Sequence, residues 1–382
     1  MANSHSLPKI LPLTSVRFCA ALLVMLYHTV PGLQIPTGFF TRFVGLGYIS
    51  VSFFFMLSGF ILAFVYLKDD KPLDKRRFFM ARFARIYPVY VAAMLLDSPH
   101  FLYTQFFVKH ESSWQTIGTF LATAGLVQSW VNMRGLNPPG WSLCAEAFFY
   151  LVFPFLGVLL WKMRGWLALP LTALIYFGGL SLVYAMVRMQ GHDDQTYNPV
   201  PHLFVFLLGI LLARLFVQIG RSPEWTRGLE SSAPWLLIGC VAGFLAIPFF
   251  DLPISEALLQ HGLLAPLFSL VILALASGNR VLSALFAMRW WVILGEASYA
   301  LYLIHEPVYV LLRHSIMRFG MPMFFLYVGI TLALSLVSYF LLEIPARRWI
   351  LGKERNRRLE TEAANSLAQQ NSDSGHLAEL RF

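Results

Sequence analysis

Charged residues are scarce in this chain of 382 residues, of which only 13% are Asp, Glu, Lys or Arg. Soluble domains contain about 25% charged and about 45–50% apolar residues, whereas 57% of this chain is hydrophobic and 15% is aromatic. So little charge cannot cover the surface of a soluble protein of this length. The composition therefore excludes a cytosolic enzyme and indicates a protein that lies in a lipid bilayer.

Cysteines and the common cofactor motifs are also missing or few. Cys19, Cys144 and Cys240 are the three cysteines, and they lie in apolar stretches without metal-ligand spacing, which argues against a disulfide framework and a zinc site. We find no P-loop, dinucleotide-binding fingerprint or hydrolase elbow. We therefore expect no metal and no bound cofactor. The net charge of +9 comes mostly from short loops between apolar runs, so we expect the bilayer as partner and no nucleic acid.

Long apolar runs fill most of the chain, and a helix needs about 20 such residues to cross a bilayer. Ten segments meet this condition: 11–31, 45–67, 78–97, 141–161, 166–187, 200–217, 234–250, 257–277, 290–312 and 321–343. An eleventh segment, 114–133, is uncharged but contains several Gln and Thr residues. The first run contains Arg17 and lacks a small-residue cleavage site, so we interpret it as a retained span. The sequence predicts an all-α, polytopic membrane helix bundle of about ten transmembrane helices.

The distribution of Lys and Arg decides between ten and eleven spans. With ten spans and the N-terminus inside, 20 of these residues lie on the inner side and 6 on the outer side. If 114–133 also spans, the numbers become 10 and 16, against the positive-inside rule. We therefore predict that both termini are cytoplasmic and that 98–140 is an outer, partly re-entrant segment. Residues 1–350 form one membrane domain, and the polar tail 351–382 is predicted to be disordered.

The first span carries two ionisable residues, Arg17 and His28. Eleven residues at about 100° each return to within about 20° of the same helix face, and the two lie roughly 16 Å apart. Charged residues inside a span are costly and indicate function by default. The alternatives are that Arg17 extends to the inner membrane surface and that His28 is an ordinary interfacial residue.

The third span begins with two arginines on one face, Arg82 and Arg85. A positive-inside anchor is one interpretation. The other is a phosphate-binding pair, because the planar guanidinium group suits phosphate and both residues lie within the helix, past Phe78 and Phe79. A site facing the cytosol would suit a phosphorylated cytosolic ligand.

Two further spans carry polar stripes at helical spacing. Ser142, Glu146 and Tyr150 recur every four residues in the fourth span, and the buried Glu146 needs a partner. Its candidates are His28, Arg17 or a substrate hydroxyl group. The ninth span carries a second stripe, which consists of Glu296, Tyr299, Tyr302 and then His305 or Glu306.

Other polar or small residues have plainer interpretations. His202 and His261 lie near helix ends and resemble interfacial residues. Close helix packing is the role we expect first for four small residues of the second span: Gly47, Ser50, Ser58 and Gly59.

The predicted topology assigns the ionisable residues to two sides. His28, Glu146 and His305 fall in the outer half, whereas Arg82 and Arg85 fall at the inner face. A histidine is the natural general base for activating a hydroxyl group, and a neighbouring carboxylate can orient it. A transporter or flippase for a polar solute also needs polar stripes, but we find no internal repeat of the kind that many transporters show.

Six motifs in order resemble the acyltransferase 3 family of integral membrane acyltransferases, which O-acylate carbohydrates of bacterial envelopes. A basic residue followed after ten residues by a histidine is matched by Arg17 and His28, and RxxR followed by YP is matched from Arg82 to Pro88. The remaining matches are SGF (58–60), WSLxxExxFYLxxP (141–154), SYxLYLxHxP (298–307, with Glu306 before the proline) and ExPxR (343–347).

This resemblance covers roughly residues 10–350. It implies ten helices, acetyl-CoA or another acyl-CoA as donor, and a carbohydrate hydroxyl group as acceptor, in a bacterial inner membrane. It assigns His28, Glu146 and His305 to catalysis. The substrate-binding residues would be Arg17, Arg82, Arg85, Ser142, Tyr150 and Tyr302. The transporter interpretation stays open at this point.

Overall fold

The computed structural model describes residues 10–33, 35–68, 71–131, 133, 135–190, 197–315, 320–354 and 356, and within them all regular structure is helical. The α-helices are, in chain order, α1 (Leu11–Thr29), α2 (Phe39–Gly45), α3 (Ile49–Tyr66), α4 (Lys75–Tyr103), α5 (Ser113–Ala124), α6 (Gly140–Val152), α7 (Val158–Lys162), α8 (Ala168–Gln190), α9 (Leu203–Ile219), α10 (Pro223–Phe250), α11 (Glu256–Gln260), α12 (Ala265–Ala276), α13 (Arg280–Phe286), α14 (Arg289–Ser315) and α15 (Met321–Ser338).

The described residues contain nine helical segments that are long and apolar enough to cross a membrane. A tenth is obtained if α13 and α14, which meet at a bend of 64°, count as one span. The prediction of about ten transmembrane helices is therefore confirmed. One difference in bounds is at α10, which begins at Pro223 rather than at residue 234, because its first turns are polar. The cytoplasmic position of the termini stays a prediction, and residues 1–9 and 357–382, with most of the polar tail, lie outside the described residues.

The segment 114–133 does not form a span. Its helix α5 has 12 residues, which at 1.5 Å per residue is about 18 Å and too short for a hydrocarbon core of about 30 Å. The preceding α4 continues to Tyr103 and through a π-helical turn to Val108, so the connecting segment begins later than residue 98. It folds back onto α4, where the Tyr90 hydroxyl group donates to the carbonyl oxygen of Thr123 at 2.7 Å.

The central helices approach closely where glycines lie at their crossings. A β-carbon at Gly59 of α3 would collide with the carbonyl oxygen of Phe206 in α9, and one at Gly209 of α9 would collide with that of Met56. Gly295 of α14 meets the backbone of α1 at Thr14 in the same way. Small residues allow such close contact between membrane helices, so the expected packing role of Gly59 is confirmed.

Burial separates central from peripheral helices. Among the 18 most apolar consecutive residues of each span, 67% are buried in Phe39–Tyr66. Only 11% are buried in Gly165–Met189 and 17% in Met321–Glu354. The exposed side chains of the peripheral helices include large apolar ones such as Leu169, Phe177 and Phe325. An apolar surface of this kind is stable against lipid, so the polar site must lie among the central helices.

Candidate active site

One polar cavity of about 130 Å³ lies between the central helices. Seven of the nine predicted site residues line it: Arg17, Arg82, Arg85, Ser142, Glu146, Tyr150 and Tyr302. They come from α1, α4, α6 and α14. The structure therefore brings together residues that are up to 285 positions apart in the sequence. The other two, His28 and His305, are not among the lining residues and lie beside each other.

Glu146 is held inside the cavity by two hydroxyl groups. Tyr150, one helical turn away, donates to its Oε1 atom at 2.6 Å, and Ser58 of α3 donates to the same atom at 3.1 Å. The spacing of four residues in α6 brings the tyrosine onto the carboxylate, as the sequence pattern predicts. The sequence did not indicate Ser58 as a partner. The expected protein partners, His28 and Arg17, form no hydrogen bond or ion pair with Glu146 among the described residues, whereas Ser58 of α3 does.

The guanidinium group of Arg82 is hydrogen-bonded at Nη2 but not at Nε. Its Nη2 atom donates to the Tyr66 hydroxyl group at 3.1 Å, and the group lies 5.4 Å from the centroid of that ring and 6.0 Å from that of Tyr150. Its Nε atom is buried and has no hydrogen-bond partner within the described part of the chain. A buried charged donor without a partner is costly, so this atom is well suited to a ligand.

Arg85 is paired differently, although it lies only three residues further on. Its Nη1 atom forms an ion pair with Glu343, at the end of the last span, and lies 3.5 Å from Glu296 of α14. The side chains are 12%, 2% and 12% exposed for Arg85, Glu343 and Glu296, respectively. Arg85 therefore ties α4 to α14 and to the π-helical turn Tyr339–Glu343. Sequence reasoning missed Glu343 as its partner, although a carboxylate at the end of an apolar span was a usable signal.

Arg17 completes the cationic side of the cavity. It lines the cavity from α1 and makes no ion pair with any described residue. Together Arg17 and the Nε atom of Arg82 offer donors that none of the described residues occupies. The interpretation of Arg17 as a residue that only extends to the membrane surface does not agree with this position.

The two histidines form a separate site. The ring centroids of His28 and His305 are 5.3 Å apart and their planes are inclined by 35°. His305 is fully buried, and its Nδ1 atom lies 2.6 Å from the carbonyl oxygen of Tyr302. Because a carbonyl oxygen only accepts hydrogen bonds, Nδ1 carries the hydrogen, and the neutral ring has its lone pair at Nε2. That Nε2 atom is buried and unbonded within the described residues.

Tyr302 connects the cavity with the histidines. Its hydroxyl group and that of Ser142 lie 2.8 Å apart inside the cavity, while its ring centroid lies 6.0 Å from that of His305. One residue thus contacts both sites, through its hydroxyl group on one side and through its ring and backbone carbonyl on the other.

Two further histidines differ from expectation. His202 and His261 are fully buried and their rings stack at 4.4 Å, with Trp141 and Phe55 each 5.2 Å from His202. They are core residues and not interfacial ones, because α9 and the turn after α11 face the interior at these positions. No sequence pattern distinguishes a buried histidine from an interfacial one at a helix end.

Comparison with known proteins identifies the chemistry. The family profile Acyl_transf_3, described as an acyltransferase domain, matches residues 13–342. The chain is 29% identical to the acyltransferase MdmB of Streptomyces mycarofaciens, over 78% of each chain. It is 24% identical to the O-acetyltransferase OatA of Staphylococcus aureus, over 89% of this chain and 58% of the relative. It is 28% identical to the peptidoglycan O-acetyltransferase OatA of Listeria monocytogenes, over 79% and 51%. The chain thus spans somewhat more than half the length of the OatA relatives. No solved structure matches it significantly.

Proposed function

Because this chain belongs to the acyltransferase 3 family, we propose that it transfers an acetyl group from acetyl-CoA to a hydroxyl group of a carbohydrate in the bacterial inner membrane. Family membership and the membrane spans make it a multi-pass membrane acyltransferase. The OatA relatives support the finer assignment, since both are O-acetyltransferases and one is named for peptidoglycan. The family also favours acyl transfer over the transporter interpretation.

The proposal is carried by the cavity, in which guanidinium donors have no partner among the described residues and which Tyr302 connects with a histidine pair. An acyl-CoA donor is anionic, and its thioester must meet a general base. The donor binds at the Arg82–Arg85 face of the cavity, where Arg82 is the direct ligand through Nε. Arg85, which its carboxylate partners hold in place, fixes that face, and Arg17 contacts the pantetheine arm.

His28 acts as the general base. It takes the proton from the acceptor hydroxyl group while the hydroxyl oxygen attacks the thioester carbonyl carbon. A new C–O ester bond forms, the C–S bond breaks, and the proton passes from His28 to the sulfur atom to give free CoA. His305 accepts a hydrogen bond from His28 at Nε2 and orients it, as the partner of a catalytic base does. The two rings lie beside each other, with centroids 5.3 Å apart, and catalytic hydrogen bonds often tighten only when the substrate binds.

The remaining residues hold charge and substrate. Glu146 balances the arginines of the cavity, and its two hydroxyl partners fix its orientation. Ser142 and Tyr302 meet the acyl group as it leaves the cavity, because their paired hydroxyl groups line the cavity on the side of the histidines. Tyr150 contacts the donor beside Arg82.

Acetyl-CoA labelled in the acetyl group tests this function. Membranes that contain the protein are incubated with the labelled donor and envelope glycan, and label in the glycan is released with mild alkali, which cleaves esters. We expect alkali-labile label with the wild-type protein and almost none with His28→Gln. Label that crosses the membrane without forming an ester would contradict the proposal and support a transporter.

A further inference from the structure

Helix α14 lacks one backbone hydrogen bond near the candidate catalytic histidine. Pro307 lies inside this helix and has no backbone N–H group, so it cannot donate to the carbonyl oxygen of residue 303. The Leu303 carbonyl is thereby left without its helical partner, two residues from His305. Buried backbone carbonyl groups are almost always bonded, so another donor is needed here.

Asn137 supplies that donor from outside the helix. Its Nδ2 atom donates to the Leu303 carbonyl oxygen at 3.0 Å. A carbonyl oxygen only accepts, so the amide nitrogen and not the amide oxygen must face Leu303. The side chain is 1% exposed. Asn137 thus replaces the helical bond that Pro307 removes.

Asn137 is itself held in place by its backbone. It lies just before α6 in the left-handed region with φ of 53°, which Asn tolerates better than most residues. Its N–H group donates at 2.7 Å to Asp97, a carboxylate of α4 that is 4% exposed. Two hydrogen bonds of Asn137 therefore link α4 to the turn of α14 that lacks a backbone hydrogen bond.

The same turn determines where the His305 ring points. The carbonyl group of Tyr302 accepts from His305 Nδ1, and the carbonyl group of His305 accepts from the Tyr327 hydroxyl group at 3.3 Å. A shift of the Leu303 carbonyl group would also move Tyr302 and His305, because the three residues share one backbone turn. The position of the His305 ring beside His28 therefore depends on this turn.

We propose that Asn137 is a positioning residue for acyl transfer, which acts through the Leu303 carbonyl to hold His305 against His28. This inference rests on the proposed function and adds to it a residue outside the cavity. It predicts that loss of the amide slows the transfer step and leaves donor binding intact.

Asn137→Gly is the test variant, because glycine keeps the left-handed backbone and the N–H group that bonds Asp97. His110→Gly is the matched control: His110 has φ of 55° and is exposed in the same connecting segment. We expect kcat for acetyl transfer to fall by about tenfold to a hundredfold with Asn137→Gly, as for small misplacements of catalytic groups. KM for acetyl-CoA should stay within about twofold, and the control should match the wild type.

The double variant Asn137→Gly/His305→Gln distinguishes positioning from a general structural effect. If Asn137 acts through His305, the double variant is no slower than His305→Gln alone. If the double variant instead loses the product of the two single losses, the inference is overturned and the proposed function stands. Wild-type activity of either single variant would have the same consequence. A wild-type protein that transfers no acetyl group would instead overturn the proposed function, and the inference with it.

Pro307→Ala provides a second test should Asn137→Gly not reach the membrane. It restores a backbone N–H group that can donate to the Leu303 carbonyl group. Asn137→Gly should therefore reduce the amount of membrane-inserted protein less in the Pro307→Ala variant than in the wild-type protein. Recovery of membrane-inserted protein by the added Pro307→Ala substitution supports the inference. An equal loss with and without Pro307→Ala would overturn it.

Discussion

The cavity and the histidine pair share Tyr302, but the protein holds their side chains in different ways. In the cavity, two of the charged side chains bind other side chains: the hydroxyl groups of Tyr150 and Ser58 bind Glu146, and Arg85 pairs with carboxylates. At the histidine pair, side chains bind backbone carbonyl groups, as His305 binds Tyr302. Side-chain pairs thus hold these charged groups of the cavity, whereas a backbone carbonyl group holds the His305 ring.

The two regions should therefore respond differently to substitution. In the cavity, a substitution removes one member of a network and affects donor binding or stability. At the histidine pair, a substitution of similar size should lower the rate of the transfer step itself. The following predictions test that distinction, beginning with the largest expected effect.

Loss of the proposed base should have the largest effect. We expect His28→Gln to reduce acetyl transfer about 10²–10⁴-fold, the usual contribution of a positioned general base, because glutamine keeps the size and polarity but cannot take up a proton. KM for acetyl-CoA should change little, since His28 does not line the cavity. Radiolabel transfer to glycan measures both quantities.

The control for this prediction is His110→Gln, at an exposed histidine of the connecting segment. It should behave like the wild-type protein. Wild-type acetylation by His28→Gln would remove His28 from the mechanism and leave His305 or Glu146 as the base.

Arg85 should be needed for stability more than for chemistry. Arg85→Ala removes the cation that pairs with the buried Glu343, and breaking a buried ion pair in this way costs about 3–5 kcal/mol. We expect a correspondingly lower free energy of unfolding, measured by thermal unfolding of detergent-solubilised protein.

Arg76→Ala is the matched control for Arg85→Ala. Arg76 forms a 2.8 Å ion pair with Glu354, but its side chain is 63% exposed, and exposed pairs contribute about 0–1 kcal/mol. Equal destabilisation by the two variants would show that the Arg85 pairs do not stabilise the bundle.

Arg82 should affect donor binding instead. Hydrogen bonds to charged groups contribute about 1.5–3 kcal/mol, so we expect Arg82→Ala to raise KM for acetyl-CoA at least about tenfold. Arg82→Lys should recover only part of this, because lysine lacks the planar fork. Arg77→Ala, at an exposed arginine one turn before it in α4, is the control. An unchanged KM for Arg82→Ala would exclude Arg82 as the donor ligand.

The sequence predicts most of the fold, because membrane helices must be long and apolar. The ten spans were accessible from runs of about 20 apolar residues and from the distribution of basic residues. The start of α10 at Pro223 was not, since polar residues occupy its first turns. The direction in which the segment after Val108 folds back onto α4 depends on tertiary contacts such as that of Tyr90 with Thr123.

The candidate site was predictable where its residues share a helix. Ser142, Glu146 and Tyr150 follow each other at intervals of four residues, and all three line the cavity. Partners on distant helices were not predictable, because a sequence pattern does not specify which helices pack together. Glu343 for Arg85 and Asn137 for the Leu303 carbonyl are of this kind.

Ser58 allows the finest test of the comparison, because it contributes one of two hydrogen bonds to the same oxygen atom of Glu146. Its bond is 3.1 Å long, whereas that of Tyr150 is 2.6 Å long. Ser58→Ala leaves the tyrosine in place, so we expect a loss near the low end of a hydrogen bond to a charged group, about 1.5 kcal/mol or less. That corresponds to a fall in kcat/KM of at most about tenfold. Ser50→Ala, in the same helix but outside the cavity, should have no effect on the rate. A loss as large as that of His28→Gln would mean that side-chain contacts in the cavity, and not the backbone at the histidines, control the transfer step.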